Sequence, residues 1–97
     1  MIVSFGDRAT EDLYHHRPTS RARRFPRDIV ETALVKMDLV NAAAALLDLR
    51  SPPGNRLEAL KGDLKGFHSI LVNDQWRLVL RWTGNNAHEV RLMDYHK

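Results

Sequence analysis

The sequence ends on four side chains that can take part in proton chemistry: Asp94, Tyr95, His96 and Lys97. The imidazole suits such chemistry best, because its ordinary pKa of about 6.5 lies close to neutrality. Alternating apolar residues from position 88 to 93 run directly into this group, so we expect the terminus to continue a sheet strand. The group is therefore a candidate site for acid and base catalysis, although similar residues also occur in solvated tails.

A grid of cations is predicted beside this terminus. Between positions 76 and 82 apolar residues alternate with Arg77, Val79 and Arg81, which predicts one buried face and one face presenting arginines. Neighbouring strands lie about 4.8 Å apart, so outward side chains form a continuous surface. Its predicted cations are Arg77, Arg81 and Arg91, with Lys61 and Lys65 at the margin. Arginine can bind a phosphate through two hydrogen bonds, but Arg77 could also form an ordinary ion pair with Glu89 or Asp94.

This residue set fits RNA cleavage without a metal, which needs a base for the 2′-hydroxyl, an acid for the leaving 5′-oxygen and cations for the phosphate. His96 is the best acid or base, and Asp94 could orient it. Tyr95 could stack on a base or donate a hydrogen bond, while Arg77 or Lys61 could hold the phosphate. The five histidines lack metal-ligand spacing and no phosphate-binding glycine loop occurs, so we expect neither metal nor cofactor.

A second basic stretch lies within residues 17–27. Its arginines are Arg17, Arg21, Arg23, Arg24 and Arg27. The stretch is predicted to be a loop that either binds phosphate, with Arg23 and Arg24 as candidates, or simply contacts water. The net charge of +3, from 15 basic and 12 acidic residues, adds weak support for a polyanionic partner.

The length of 97 residues predicts one domain spanning positions 1–97. Because the chain has no cysteine, it has no disulfide framework and no thiol nucleophile. No stretch has the roughly 18 apolar residues of a membrane span, and the N-terminus does not resemble a signal peptide. We therefore expect a soluble cytoplasmic protein.

The apolar pattern predicts helices followed by sheet. A short strand over residues 1–5 precedes a short helix capped by Thr10. A long helix is predicted over residues 27–49, with Asn41 as a candidate break. Its apolar face comprises Val30, Ala33, Met37, Val40, Ala44 and Leu47. Ser51-Pro52-Pro53-Gly54-Asn55 ends this helix.

Strands are predicted over residues 57–60, 67–72, 76–82 and 88–93, with short turns between them. Trp76 and Trp82 fall on the apolar face and are predicted to be core. Connections of a few residues favour an antiparallel meander, so the predicted class is α+β, with the helices packed on one face of the sheet.

Several motifs in order resemble the HigB-type toxins of the RelE/ParE superfamily. They are the segments 51–63 and 73–77, Ser69-Ile70, and the terminal Asp94-Tyr95-His96. The resemblance covers nearly the whole chain. It implies a RelE-like microbial ribonuclease fold and a toxin that cuts mRNA in the A site of the 70S ribosome. It also implies a cognate antitoxin with a helix-turn-helix domain, through which the pair represses its own operator DNA.

Carried onto this sequence, the resemblance places catalytic roles on Asp94, Tyr95 and His96, on Lys61 in the Leu-Lys-Gly turn, and on Arg77 after the tryptophan. Some members carry a second catalytic histidine before that turn. This chain has Glu58 there, which could act as a base but cannot donate a proton as an imidazolium does.

Two other functions remain open at this stage. One is a ParE-like toxin without nuclease activity that binds a protein such as DNA gyrase. The other is a nucleic-acid-binding module in which Arg81, Arg91, Lys65 and the arginine loop bind phosphates and His96 is incidental.

Overall fold

The computed structural model describes residues 1–95, which contain two α-helices and four β-strands. They are α1 Arg8–Tyr14, α2 Arg27–Ala42, β1 Glu58–Ala59, β2 His68–Leu71, β3 Trp76–Thr83 and β4 Asn86–Asp94. The strands form one sheet in the order β1-β2-β3-β4, and every neighbouring pair is antiparallel. Apolar residues of α2 join those of β2, β3 and β4 in one core. The predicted α+β class and meander are confirmed.

Helix α1 begins at a different cap from the one predicted. Asp7, not Thr10, is the N-cap, and its Oδ1 accepts a hydrogen bond from the Thr10 backbone N–H at 2.8 Å. Thr10 lies inside the helix and is fully buried, and its hydroxyl accepts the Leu92 N–H at 3.0 Å. The threonine therefore connects α1 to β4, because the aspartate three residues earlier already satisfies the helix end.

Helix α2 is shorter than predicted. Ala33, Met37 and Val40 are fully buried as expected, but the helix ends at Ala42, so the prediction of helix to residue 49 is wrong. Beyond it, Leu46–Arg50 forms a separate 3₁₀ helix in which Leu47 is 62% exposed. The candidate break at Asn41 is confirmed within one residue. The Asn41 side chain accepts a hydrogen bond from Ile2 N–H at 3.0 Å, which ties this helix end to the N-terminus.

The first residues do not form the regular strand that the sequence predicted. Ile2 and Phe5 make isolated parallel bridges to Ala87 and Val90 of β4. The Gly6 N–H also donates to the Val90 carbonyl at 2.8 Å. The segment thus covers much of the outer edge of β4, which would otherwise present unpaired backbone groups.

A bulge changes the side-chain alternation of β4. Val79 lies opposite Arg91, but Arg81 lies opposite His88, so β4 has one additional residue between these pairs. Glu89 lies in this interval with a φ of 54°, in the left-handed region that a glycine occupies in G1 bulges. The bulge places His88 on the same face as Arg81, which strict alternation would not do.

The sheet has two unlike faces. The core face packs against the helices and carries Ile70, Leu78, Leu80, Val90 and Leu92. Trp76 and Trp82 are partly buried against it, as predicted. The opposite face, here called the open face, carries Glu58, Ser69, Arg77, Val79 and Arg91 in register. Ser69 and Val79 are fully buried on that face, so the prediction of a solvated arginine surface is only partly right.

Candidate active site on the open face of the sheet

Arg77 lies among side chains from the other three strands or their ends. Its Nη1 donates to the Ser69 Oγ at 3.0 Å and lies 3.4 Å from Oε2 of Glu58. Its Cζ lies over the ring of Tyr95, 5.6 Å from the ring centroid. The guanidinium thus has three neighbours, and 18% of the Arg77 side chain is exposed to solvent.

Strand register explains why these four residues meet. Glu58 is the Cα partner of Ser69, and Arg77 is the partner of Leu71, so the arginine reaches Ser69 diagonally across β2 and β3. The Tyr95 N–H donates to the Gln75 carbonyl, which continues the ladder one step past Asp94. The predicted residues Glu58, Arg77 and Tyr95 are therefore brought together although they span 38 positions of the sequence.

This arrangement presents a cation and a carboxylate side by side. Glu58 is 53% exposed, so its carboxylate is accessible to a ligand. A guanidinium already oriented by a hydroxyl and an aromatic ring loses little freedom when it binds a phosphate. The pair can thus bind negative charge next to a group that accepts protons.

Asp94 lies on the other side of the sheet. It ends β4, as the sequence predicted, but it pairs with Trp76 and so shares the core face with Leu92, whereas Arg77 points to the open face. Gln75 Nε2 donates to its Oδ2 at 3.0 Å. Adjacent residues of a strand point to opposite faces, so Asp94 and Tyr95 are separated despite their adjacency. The predicted His96, together with Lys97, lies outside the described residues.

The remaining predicted cations occupy three settings. Arg81 forms an ion pair with Glu89 at 2.9 Å, and both side chains are nearly half exposed. Arg91 shares the open face with Arg77 through its pairing with Val79. Lys61 and Lys65 are exposed residues that flank the 3₁₀ turn Gly62–Leu64. The alternative that Arg77 forms an ion pair with Glu89 or Asp94 is wrong, because its ion-pair partner is Glu58 and Glu89 binds Arg81.

The arginine-rich stretch is organised by a carboxylate that the sequence analysis overlooked. Asp12 of α1 is only 2% exposed, and its carboxylate accepts hydrogen bonds from Thr19 at 2.8 Å, Arg21 at 2.6 Å and Arg17 at 3.3 Å. These bonds, led by that of the Thr19 hydroxyl, lower the pKa of Asp12 although burial opposes the effect. The stretch is therefore a fixed structure, and the available signal was an acidic residue on the helix preceding the arginines.

Arg23 and Arg24, the phosphate-binding candidates of this stretch, lie in a 3₁₀ turn and are exposed. Arg24, together with Arg21 and Asp94, lines an open cleft near the end of β4. The stretch thus approaches the core-face side of the strand terminus, away from Arg77.

Ser69 was also missed. Ser69 belongs to a motif that carries the family resemblance, but the sequence alone indicates no role for it, because its function as an acceptor for Arg77 depends on strand register. Within residues 1–95, no group of three or more histidine, aspartate or glutamate side chains is placed to hold a metal ion. None of the helices in that range combines the length and apolar character needed to cross a membrane.

Comparison with known proteins gives sequence relatives along the full chain. The family model described as RelE-like toxin of type II toxin-antitoxin system HigB matches residues 3–96. Toxin HigB-1 of Vibrio cholerae is 41% identical over 97 residues, covering 100% of this chain and 99% of the relative. Endoribonuclease HigB of Proteus vulgaris is 27% identical over 96 residues, covering 99% of this chain and 100% of the relative.

Solved structures agree on the fold. A chain of the YoeB-YefM complex from Staphylococcus aureus aligns with a TM-score of 0.61 at 15% identity, covering 100% of this chain and 99% of that one. YafQ from Escherichia coli aligns with a TM-score of 0.57 at 14% identity, covering 97% and 93%. At these identities the likeness concerns the fold, and it confirms the RelE-like architecture that the sequence motifs implied.

Proposed function

Because this chain belongs to the HigB-like family of type II toxin–antitoxin toxins, we propose that it is an endoribonuclease that cuts mRNA in the ribosomal A site and so arrests translation. The observation that supports the proposal most directly is the Arg77 cluster. It joins a restrained guanidinium, the accessible carboxylate of Glu58 and the ring of Tyr95 on one face. The relative from Proteus vulgaris is named an endoribonuclease, which agrees with this chemistry.

The reaction would proceed by attack of a ribose 2′-hydroxyl on the adjacent phosphate. Glu58 takes the hydroxyl proton, the new 2′-oxygen–phosphorus bond forms, and the bond to the 5′-oxygen breaks. Arg77 and Lys61 stabilise the charge that builds up on the phosphate. His96 donates a proton to the leaving 5′-oxygen, and Tyr95 stacks on a base. Asp94 lies on the opposite face of the sheet from Arg77 and is assigned no contact with the phosphate in this step. No metal is needed for any of these transfers.

Cations outside the cluster would hold the RNA backbone. Arg91 shares the face of Arg77, and Arg81 and Lys65 lie at its margins. Arg23 and Arg24 add charge on the arginine-rich stretch. These contacts would be independent of sequence and would weaken as salt rises.

A toxin of this family implies a neutralising partner. We propose a cognate antitoxin with a helix-turn-helix domain, through which the complex binds its own operator DNA in the cytoplasm. The match to a family model of type II toxin-antitoxin toxins and the likeness to a chain of the YoeB-YefM complex support such a partner.

The direct test is cleavage of a defined mRNA in a reconstituted translation reaction, with cut sites mapped by primer extension. Arg77→Ala should lower the cleavage rate about 10²–10³-fold, as for loss of a donor to transition-state charge. His96→Ala should lower it about 10²–10⁴-fold, as for loss of a general acid. Arg8→Ala, which removes an exposed arginine from α1, serves as the matched control and should cleave normally.

Two results would contradict the proposal. Unchanged cleavage by both Arg77→Ala and His96→Ala would remove the catalytic assignment. Intact mRNA in the wild-type reaction, together with inhibited DNA supercoiling, would instead support a ParE-like toxin with a protein target.

A further inference from the structure

A second surface lies between α1, the arginine-rich stretch and the beginning of α2. It is an open groove of about 350 Å³, with an apolar floor that includes Leu13, Phe25 and Val30. Arg17, Arg23 and Arg27 line the same groove, and each of them is exposed. We call this surface the basic groove. No carboxylate lines it in the part of the chain that the structure describes.

The groove walls are fixed before any ligand binds. The buried carboxylate of Asp12 binds Arg17, Thr19 and Arg21 and thereby holds the arginine-rich stretch against α1. The ring of Phe25 packs edge-on against Trp76 of the sheet, with ring centroids 5.8 Å apart. A preformed groove loses little conformational entropy on binding, so even a short ligand segment can bind there specifically.

The chemistry of the groove favours a peptide over a nucleic acid. Binding over a floor of aliphatic and aromatic side chains is stabilised when the ligand buries apolar groups against it. A phosphate backbone does not supply such groups. The only aromatic ring of the floor is already packed against Trp76. Arg17 is already paired with Asp12, but Arg23 and Arg27 form no ion pair within residues 1–95, so these two arginines favour carboxylates at the edges of the ligand. The matching ligand is an amphipathic helix with an apolar stripe flanked by glutamate or aspartate.

We propose that the basic groove binds an acidic amphipathic helix of the antitoxin. This identification of the partner rests on the proposed function, whereas the chemistry of the groove does not. The groove lies beside the helices, while Arg77 and Glu58 lie on the open face of the sheet. Variants at Arg27 and Val30, which line the groove and have no part in the proposed RNA contacts, should therefore change antitoxin binding without changing RNA cleavage.

The test measures binding between the full-length chain and the purified antitoxin proposed above, by isothermal titration calorimetry. Arg27→Glu reverses a charge at the rim, and Val30→Asp puts a charge into the floor. Each should weaken binding about tenfold or more, since a repelling or unpaired charge at an interface opposes association. Raising the salt concentration should weaken wild-type binding more than binding of Arg27→Glu.

Matched controls change the same residue types elsewhere. Arg8→Glu alters another exposed arginine, and Val35→Asp alters a 53% exposed valine on the same helix as Val30. Both should bind the antitoxin as the wild type does. All four variants should unfold cooperatively and cut mRNA at the wild-type rate, which shows that they are folded.

Wild-type affinity in both groove variants would overturn the proposal. Normal antitoxin binding combined with reduced mRNA cleavage would also overturn it and assign the groove to RNA. Failure of the wild-type chain to cut mRNA would contradict the proposed function but would leave the binding comparison valid, so the two ideas can fail separately.

Discussion

The Arg77 guanidinium donates a hydrogen bond to the hydroxyl of Ser69 across 3.0 Å, and Ser69 is fully buried. A buried hydroxyl cannot contact RNA, so Ser69 acts as a positioning residue for the arginine. Ser69→Ala should lower the mRNA cleavage rate about 3–10-fold, which corresponds to the loss of one hydrogen bond. Ser20→Ala, at an exposed serine, is the control and should have no effect.

A double-mutant cycle separates positioning from general stability. Adding Ser69→Ala to Arg77→Ala should cost no further activity, because the serine acts only through the arginine. Additive losses in cleavage rate would show that Ser69 contributes in some other way.

Glu58→Gln tests whether the carboxylate is a base or only an ion-pair partner. The amide keeps the shape but cannot take a proton, so loss of a general base should lower cleavage about 10²–10⁴-fold. Glu89→Gln removes a carboxylate of similar exposure, 48% against 53%, from a comparable ion pair with Arg81 and should change cleavage far less. If both variants lower the cleavage rate equally and only slightly, Glu58 is an ion-pair partner of Arg77 and not a general base.

Asp12 should make the stability of the fold depend on pH. Its pKa is lowered in the folded protein, chiefly by the Thr19 hydroxyl, from an ordinary value of 3.8. The carboxylate therefore stabilises the fold fully above that value, and this contribution is lost as the pH falls through the lowered pKa. Asp12→Asn should reduce Tm at pH 7, and the difference from wild type should shrink as the pH falls below about 4.

Asp63→Asn provides the control for that series, since Asp63 lies in an exposed turn. Thermal unfolding followed by circular dichroism gives Tm at each pH. A constant difference between wild type and Asp12→Asn from pH 7 to pH 3 would contradict the electrostatic role of Asp12.

Gly6→Ala tests the contact between the N-terminal segment and the bulge of β4. A Cβ at this position would lie 2.8 Å from the Glu89 carbonyl oxygen and 3.1 Å from Cδ of Arg91. The overlap should destabilise the fold by about 1–3 kcal/mol in urea denaturation. At Gly54 a Cβ would meet nothing within 4 Å, so Gly54→Ala should change stability by less than about 0.5 kcal/mol. Equal stability of the two variants would show that the segment can move away from the bulge.

Local sequence patterns predicted the helices and strands, with errors at some of their ends. The alternation around Trp76 to Trp82 located β3, and apolar spacing located the buried residues Ala33, Met37 and Val40 of α2. The predicted end of α2, at residue 49, lies too far along the chain. The alanines after Asn41 continue the apolar pattern although the helix itself ends at Ala42. The cap was misplaced because both Asp7 and Thr10 are residue types found at that position.

The sequence by itself determined the order of helices and strands, the family and the identity of Glu58, Arg77 and Tyr95 as candidates, since motifs and periodicity are properties of neighbouring residues. Only the tertiary structure decided which of them meet. Strand register brought Ser69 to Arg77, alternation placed Asp94 on the opposite face from that arginine, and folding buried Asp12 among the arginines. The bonds from Arg77 to Ser69 and from Arg21 to Asp12 each join different segments, and a local pattern does not specify how such segments pack or in which register they pair.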